Sequence, residues 1–357
     1  MISLKIDNND ISVEDGTSVL EAARLTGADI PTLCHDGKLE HYTSCMVCLV
    51  KDKKSGKFIA SCSARVSNGM DIDTMGEEVT RIRRKSAELL LSEHRADCEA
   101  PCRTVCPAGY NIPLMNRLIS NLHFEEAAAL SKKQTGSEYL WCFSCKAYCE
   151  NACRRNKTDT PISIKNLQVY ISGQQDIPRS DQCEKPRVRD KRFQSLSGRI
   201  SEKELKEWLK ESNDNHQRYS IIKNNDSASG EALACLHCDC RASSDCSLRA
   251  VAEKLEVKDP KGKLVNSEAV KKINRKTNLI FENAKCIKCG LCVRLCEESN
   301  GGPALCFMNR GFVSILSEPL TCGFEEVLPG RTRECIEICP TGALAWFQTN
   351  PKDEIKG

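Results

Sequence analysis

The stretch KCIKCGLCVRLCEE, residues 285–298, places four cysteines at a C-x2-C-x2-C-x3-C spacing. Thiolates that recur every third residue can turn inward from one tight loop, and they are soft, anionic ligands suited to iron. In chains with two four-iron sites, the first three cysteines of one such run share a cluster with the last cysteine of another. The partner run is CIEICPTGAL, residues 335–344, which supplies Cys335 and Cys339 followed by Pro340. One 4Fe–4S site is therefore expected on Cys286, Cys289, Cys292 and Cys339. The second motif is incomplete, because Pro329 and Thr332 stand where two of its ligands belong. Cys296 and Cys335 remain for that site. Cys322 reaches it through CGFEEVLPGRTREC, and Cys306 sits in the apolar stretch ALCFMNRGF. A buried free thiol is the competing reading of Cys306.

Toward the N-terminus, IPTLCHDGKLEHYTSCMVCLV (residues 30–50) and FIASCSARV (58–66) contribute Cys34, Cys45, Cys48 and Cys62. Four thiolates at this C-x10-C-x2-C-x13-C spacing suit an iron–sulfur centre, with zinc or free thiols as the competing reading. The local patterns supply a scaffold. Residues 2–6 and 11–13 alternate like two strands around an Asn-Asn-Asp turn. VEDGTSVLEAARLTG, residues 13–27, predicts a helix capped by Thr17 or Ser18 and stopped by Gly27. A hairpin is expected through Lys53–Lys57. Strand, strand, helix and further short strands fit a β-grasp ferredoxin. A second helix is expected over residues 77–93, apolar at Val79, Ile82, Leu89 and Leu90.

Composition narrows the class. The chain has 357 residues, 24 of them cysteine, and a formal net charge of +3. So small a charge leaves no electrostatic footprint for nucleic acid. The opening MISLKIDNND has neither a basic nor an apolar leader region, and no run of 18 apolar residues occurs, so no signal peptide and no membrane insertion are expected. A cytoplasmic chain this rich in thiols uses them as metal ligands. There is no G-x-G-x-x-G after a strand, no phosphate-binding G-x-x-x-x-G-K-[ST] and no H-E-x-x-H. No flavin or nicotinamide site, and no substrate-converting active site, is expected here.

Two further cysteine groups lie between. The first is Cys98, Cys102, Cys106, Cys142, Cys145, Cys149 and Cys153. The second, in ALACLHCDCRASSDCSLRAVAEKL (232–255), is Cys235, Cys238, Cys240 and Cys246. The second can enclose one centre, and 4Fe–4S or structural zinc satisfies the same geometry. His237, inside that loop, is expected to face solvent. Residues 181–230 are polar and read as a connector, with a capping box from Ser201 to Glu204 starting a short helix SEKELKEWLKES. Cys183 has no assigned neighbour.

These motifs resemble known modules. Residues 1–76 resemble the N-terminal 2Fe–2S domain shared by the large iron–sulfur subunit of NADH dehydrogenase, iron-only hydrogenases and some formate dehydrogenases. In that family a His and three Cys bind a further 4Fe–4S cluster, and LLLSEHRADC (89–98) offers His94 and Cys98. APCRTVCPAGYNIPLMNRLI (100–119) and CENACRRNKTDTPISIKNLQ (149–168) instead resemble the helical two-cluster ferredoxin domain of the glutamate synthase small subunit and dihydropyrimidine dehydrogenase. That resemblance implies one site on Cys98, Cys102 and Cys153, with His94 standing in for an absent first cysteine. It implies a second on Cys106, Cys149 and either Cys142 or Cys145. Gln168 follows the I-x-I-x-x-L run where the pyrimidine enzyme has a Gln ligand. The plain alternatives are a helix-terminal histidine and an exposed amide. The cysteine-rich 235–246 segment resembles a tail of flavoproteins related to the glutamate synthase small subunit. Residues 284–348, including NRGF, resemble the two-cluster ferredoxin domain of iron-only hydrogenases, whose catalytic domain does not follow here.

The expected fold is multidomain α+β. It comprises a β-grasp 2Fe–2S domain (1–76), an α-helical domain with one or two 4Fe–4S clusters (77–180), a connector with a cysteine knot (181–280), and a bacterial-type 4Fe–4S ferredoxin domain (281–357). One 2Fe–2S and four to five 4Fe–4S clusters are expected. The function implied is a multi-cluster electron-transfer subunit of an NAD(P)H-linked, electron-bifurcating type of complex. Its partners would be a flavoprotein NAD(P)-linked subunit and a second redox or catalytic subunit or ferredoxin. The alternative is a zinc-stabilised scaffold without redox function.

Overall fold

The computed structural model describes residues 1–94, 98–135, 142, 145–157, 159–173, 221–242, 245–257, 271–297 and 304–347. Cys183 and the expected helix at 201–212 lie outside them. The chain divides into two compact units, Met1–Arg95 with Asp245–Phe347, and Ala96–Ser244 with Gln348–Gly357. These units cut across the expected boundaries, because part of the connector packs into each. The described elements are a mixture of helix and sheet.

The first unit begins with a sheet. Strands β1 (Ile2–Ile6) and β2 (Asn9–Val13) pair antiparallel from Ile2↔Val13 to Ile6↔Asn9. Asp7 and Asn8 form the link with φ of +46° and +71°. Two-residue hairpin turns demand positive φ, and Asp and Asn tolerate it. The turn therefore sits earlier than the Asn-Asn-Asp reading, and β2 starts at Asn9. Helix α1 covers only Val19–Leu25, because a turn with Gly16 at φ +84° precedes it. Ser18 is its N-cap: the hydroxyl oxygen accepts from Glu21 N at 3.1 Å, and Glu21 Oε2 accepts from Ser18 N at 2.8 Å. Strands β3 (Leu49–Asp52) and β4 (Phe58–Ala60) form the hairpin, and β5 (Asp71–Asp73) joins β1 in parallel, giving the order β2-β1-β5-β3-β4. Leu4, Ile6, Val19, Leu20, Ala23, Val50 and Ile72 bury one face of this sheet against α1, together with Cys48 and Cys62.

Helix α2 spans Glu77–Glu93 as expected, but its inward face differs. Val79, Arg83, Ser86, Ala87 and Leu91 are buried, whereas Leu89 is exposed. Arg83 takes a core-facing position because its guanidinium donates to Leu49 O at 2.7 Å and Thr74 O at 3.0 Å. Hydropathy counting misses an arginine that satisfies buried carbonyls.

The second unit is helical: α3 (Pro101–Thr104), α4 (Ile112–Ser120), α5 (Phe124–Thr135), α6 (Tyr148–Asn151), α7 (Ile164–Ile171) and α8 (Asn225–Leu233). Tyr110, Ile112, Met115, Leu118, Ile119, Leu130, Leu167 and Ala232 form its core, with Cys102, Cys106, Cys149, Cys153 and Cys235 packed against it. The Arg117 guanidinium of α4 donates to both carboxylate oxygens of Asp239 at 2.9 Å, tying the 235–240 segment to the bundle.

The chain returns to the first unit with α9 (Ser247–Lys254), and Arg84 of α2 donates to Leu255 O at 2.7 Å. Strands β6 (Lys271–Asn274) and β7 (Leu279–Glu282) form a hairpin. Helix α10 (Leu291–Glu297), the strand pair β8 (Cys306–Met308) and β9 (Ile315–Ser317), and helix α11 (Thr332–Ile338) follow. Strand β10 (Leu344–Trp346) then closes on β7, with Leu344↔Phe281 in register.

Candidate iron–sulfur centres

All four N-terminal cysteines are buried in the first unit. The sulfurs of Cys34 and Cys45 lie 3.3 Å apart, and those of Cys48 and Cys62 lie 3.5 Å apart. The set shares its protons unequally. Hydrogen bonds from Cys45 and then Cys62 hold Cys34 far below the ordinary thiol range. The bond from Cys62 brings Cys48 down to about 6. Cys45 and Cys62 are correspondingly pushed up. Backbone N–H groups of Ser44 and Cys45 also favour the Cys34 thiolate. Such N–H···S bonds are the levers that tune bound sulfur ligands.

In the same unit, Cys286, Cys289, Cys292 and Cys339 line one cavity of about 20 Å³. Phe281, Ile287, Leu316 and Leu344 close it with apolar walls. Burial raises the Cys286 thiol to about 12 and lifts Cys289 and Cys292 as well. An apolar wall penalises a bare thiolate, and bonding to a cationic metal removes that penalty. Lys288 N donates to the Cys286 sulfur at 3.4 Å, with Lys288 itself at φ +56°. The same loop device recurs in the second unit. His237 has φ +45° and its N–H donates to the Cys235 sulfur at 3.4 Å. His237 is buried, so the expectation that it faces solvent is corrected. Its conformation serves the loop.

The second unit gathers two groups. Cys102 is lifted well above the ordinary thiol range, by burial first and then by charge at Cys235, Cys238, Cys153 and Cys149. Burial, with charge at Cys235 contributing, takes Cys153 to about 11. Cys102 thus lies within electrostatic reach of Cys235, Cys238 and Cys153, a grouping that sequence spacing did not anticipate. Cys98 is placed beside Cys240, whose N–H donates to the Cys98 carbonyl at 3.3 Å. The other group is Cys106, Cys142, Cys145 and Cys149: burial raises Cys149, and charge at Cys106, Cys142 and Cys145 adds to it. Gln168 is buried, its amide nitrogen bonds Ser131 Oγ, and its Oε1 has no hydrogen-bond partner. An orphaned carbonyl oxygen in this core fits a metal-facing role better than an exposed amide does. Tyr110, absent from the sequence reading, is buried, and its hydroxyl is raised by burial and by charge at Cys142 and Cys106.

The remaining expected ligands belong to the first unit. The His94 imidazole faces Lys285, and desolvation depresses it to about 4, so the ring is neutral and able to ligate. Cys246 packs with its sulfur 3.9 Å from Pro340 O. The four cysteines expected at a second C-terminal site all fall in this unit. Cys296 and Cys335 sulfurs are 3.7 Å apart, while Cys306 contacts Met308 Sδ at 3.8 Å and influences Cys322. Thr332, at a missing ligand position, spends its hydroxyl on Leu328 O at 2.9 Å.

A family of 2Fe–2S iron–sulfur cluster binding domains matches residues 1–77, and the family described as dihydropyrimidine dehydrogenase domain II, 4Fe–4S cluster, matches residues 75–196. The chain thus carries a 2Fe–2S domain match followed by a 4Fe–4S domain match. It is 39% identical over 116 residues to the NADPH-Fe(3+) oxidoreductase subunit alpha of Geobacter sulfurreducens, covering 32% of this chain and 13% of that protein. It is 42% identical over 98 residues to an NADH-quinone oxidoreductase subunit of Rickettsia felis, covering 28% and 15%. The mitochondrial NADH-ubiquinone oxidoreductase 78 kDa subunit of Candida albicans is 37% identical over 97 residues, covering 27% and 14%. The chain thus spans only a small part of the length of these relatives. A chain of the NAD+-reducing [NiFe]-hydrogenase in the H2-reduced state shares its fold, with a TM-score of 0.51 at 18% identity, over 98% of this chain and 90% of that one. Among the described residues no helix is long and apolar enough to cross a membrane.

Proposed function

We propose that this chain is the multi-cluster electron-relay subunit of a cytoplasmic, NAD(P)H-linked oxidoreductase complex, of a kind that includes electron-bifurcating assemblies. It would stand between a flavoprotein subunit and a second redox subunit or ferredoxin. The observation that carries this reading is the C-terminal cage. Cys339, from the separate CIEICP run, lines the same apolar cavity as Cys286, Cys289 and Cys292.

Iron–sulfur clusters supply one-electron chemistry when held by such residues. The protein's own part is fourfold: it buries the thiols, aims N–H groups at their sulfurs, excludes water with Phe281, Leu316 and Leu344, and keeps His94 neutral. The β-grasp domain would hold the 2Fe–2S centre on Cys34, Cys45, Cys48 and Cys62. The helical unit would hold 4Fe–4S centres on Cys106, Cys142, Cys145 and Cys149 beside Gln168, and on Cys102, Cys153, Cys235 and Cys238.

Anaerobic purification with iron and zinc analysis tests the proposal. The chain should hold about 14 iron atoms, from the one two-iron and three four-iron sites named above. Four irons or fewer, or stoichiometric zinc with no reducible signal, would overturn it.

A further inference from the structure

Arg294 lies in α10, between Cys292 and Cys296, and is only 2% exposed. One guanidinium nitrogen donates to Cys34 O at 2.8 Å and to Cys289 O at 3.3 Å. A second donates to Glu40 O, and Nε donates to Gly290 O at 3.3 Å. The group also stacks 4.7 Å from the centroid of the Tyr42 ring, whose hydroxyl donates to Glu297 at 3.1 Å. Gly290 makes this approach possible. Its φ is +73°, and a Cβ there would come within 2.7 Å of the Tyr42 ring.

Every polar partner of Arg294 among the described residues is a backbone carbonyl. Burying a charge without a counter-ion is costly, and a buried arginine ordinarily finds a carboxylate. Cys34 belongs to the N-terminal four-sulfur set and Cys289 to the C-terminal cage. Four thiolates around an iron–sulfur centre carry net negative charge, which increases by one on reduction. We propose that Arg294 is the shared counter-charge and positioning residue of these two sites, pinning the Cys34 loop to the Cys289 loop and favouring the reduced form of both. The proposal rests on the cluster reading above.

Three structural features make the assignment specific. The fork reaches both ligand-bearing loops at once, a geometry that the single ammonium point of lysine does not reproduce. The charge is desolvated, so its field is weakly screened. The tyrosine face adds a cation–π contact that fixes the guanidinium plane.

The test uses the full chain, purified anaerobically, with redox titration followed by EPR. In Arg294→Gln with wild-type iron content, the 2Fe–2S signal and one 4Fe–4S signal should both titrate at lower potential, while the other 4Fe–4S signals stay in place. Arg294→Lys should keep both potentials nearer the wild type. In the fully reduced wild type, the 2Fe–2S signal should show magnetic splitting from a neighbouring four-iron centre. Unchanged potentials in Arg294→Gln, or a shift in only one of the two, would overturn the proposal. If Arg294→Gln loses its iron, the wild-type splitting and Arg294→Lys decide, and an unsplit 2Fe–2S signal overturns it. A wild-type chain without iron signals would refute the cluster reading instead.

Discussion

The sulfurs of Cys296 and Cys335 lie 3.7 Å apart in the first unit, with Cys335 fully buried. They meet where the second cysteine motif lacks two ligands, and Thr332 is occupied with a backbone carbonyl. The pair packs as core beside Leu328 and Val327. Replacing both with alanine should cost about 1–2 kcal/mol of stability and leave the iron content unchanged. Cys339→Ala should instead remove about four irons, one cluster's complement. Loss of about four irons from the Cys296/Cys335 double variant would show that the pair ligates.

Arg117 and Asp239 form a nearly buried ion pair that anchors the segment bearing Cys235 and Cys238. Arg117→Ala removes this charge-assisted pair, at a cost on the order of 1.5–3 kcal/mol. It should also lower iron content by loosening the Cys235 loop. Unfolding midpoints and iron assays measure both, and wild-type iron in a destabilised variant would disconnect the pair from that site.

Gln168 carries an orphaned Oε1 in the helical core. Gln168→Leu should preserve folding and shift the EPR line shape or potential of one 4Fe–4S signal. An unchanged spectrum would make Gln168 a core amide bonded to Ser131 and nothing more.

The Ser18 backbone N–H, and then its hydroxyl, hold Glu21 below the ordinary carboxylate range. A depressed folded value stabilises the protein above the unfolded pKa and loses that contribution as pH falls through the folded value. Glu21→Ala should therefore lie about 0.5 kcal/mol below wild type at neutral pH, the capping contribution after solvent screening. The gap should close as pH drops below about 4. Denaturant midpoints of both proteins across pH provide the check, and a gap independent of pH would contradict it.

Local patterns carried the reading where ligands and elements are close in sequence. The α2 boundaries, the β3–β4 hairpin and the Ser18 cap follow from periodicity and capping chemistry within a few residues. The alternation in residues 2–13 also found two strands, though not the turn at Asp7–Asn8. Long-range groupings were not legible. Nothing near Cys102 announces Cys235 and Cys238, because the bundle core and the Arg117–Asp239 pair bring them together. Arg83 and Arg294 look like surface arginines in sequence, yet both are buried by carbonyls that only the fold assembles. Tyr110 and the left-handed residues Lys288 and His237 likewise become meaningful only once the cysteine loops have shape.

The central claim is that this chain stores electrons one at a time on several centres. Stepwise anaerobic reduction with dithionite, followed by EPR and optical bleaching, measures this directly. Roughly four one-electron equivalents per chain are expected, one for each proposed cluster, including a distinct 2Fe–2S signal. Uptake of no electrons, or of a single pair without a paramagnetic signal, would contradict it.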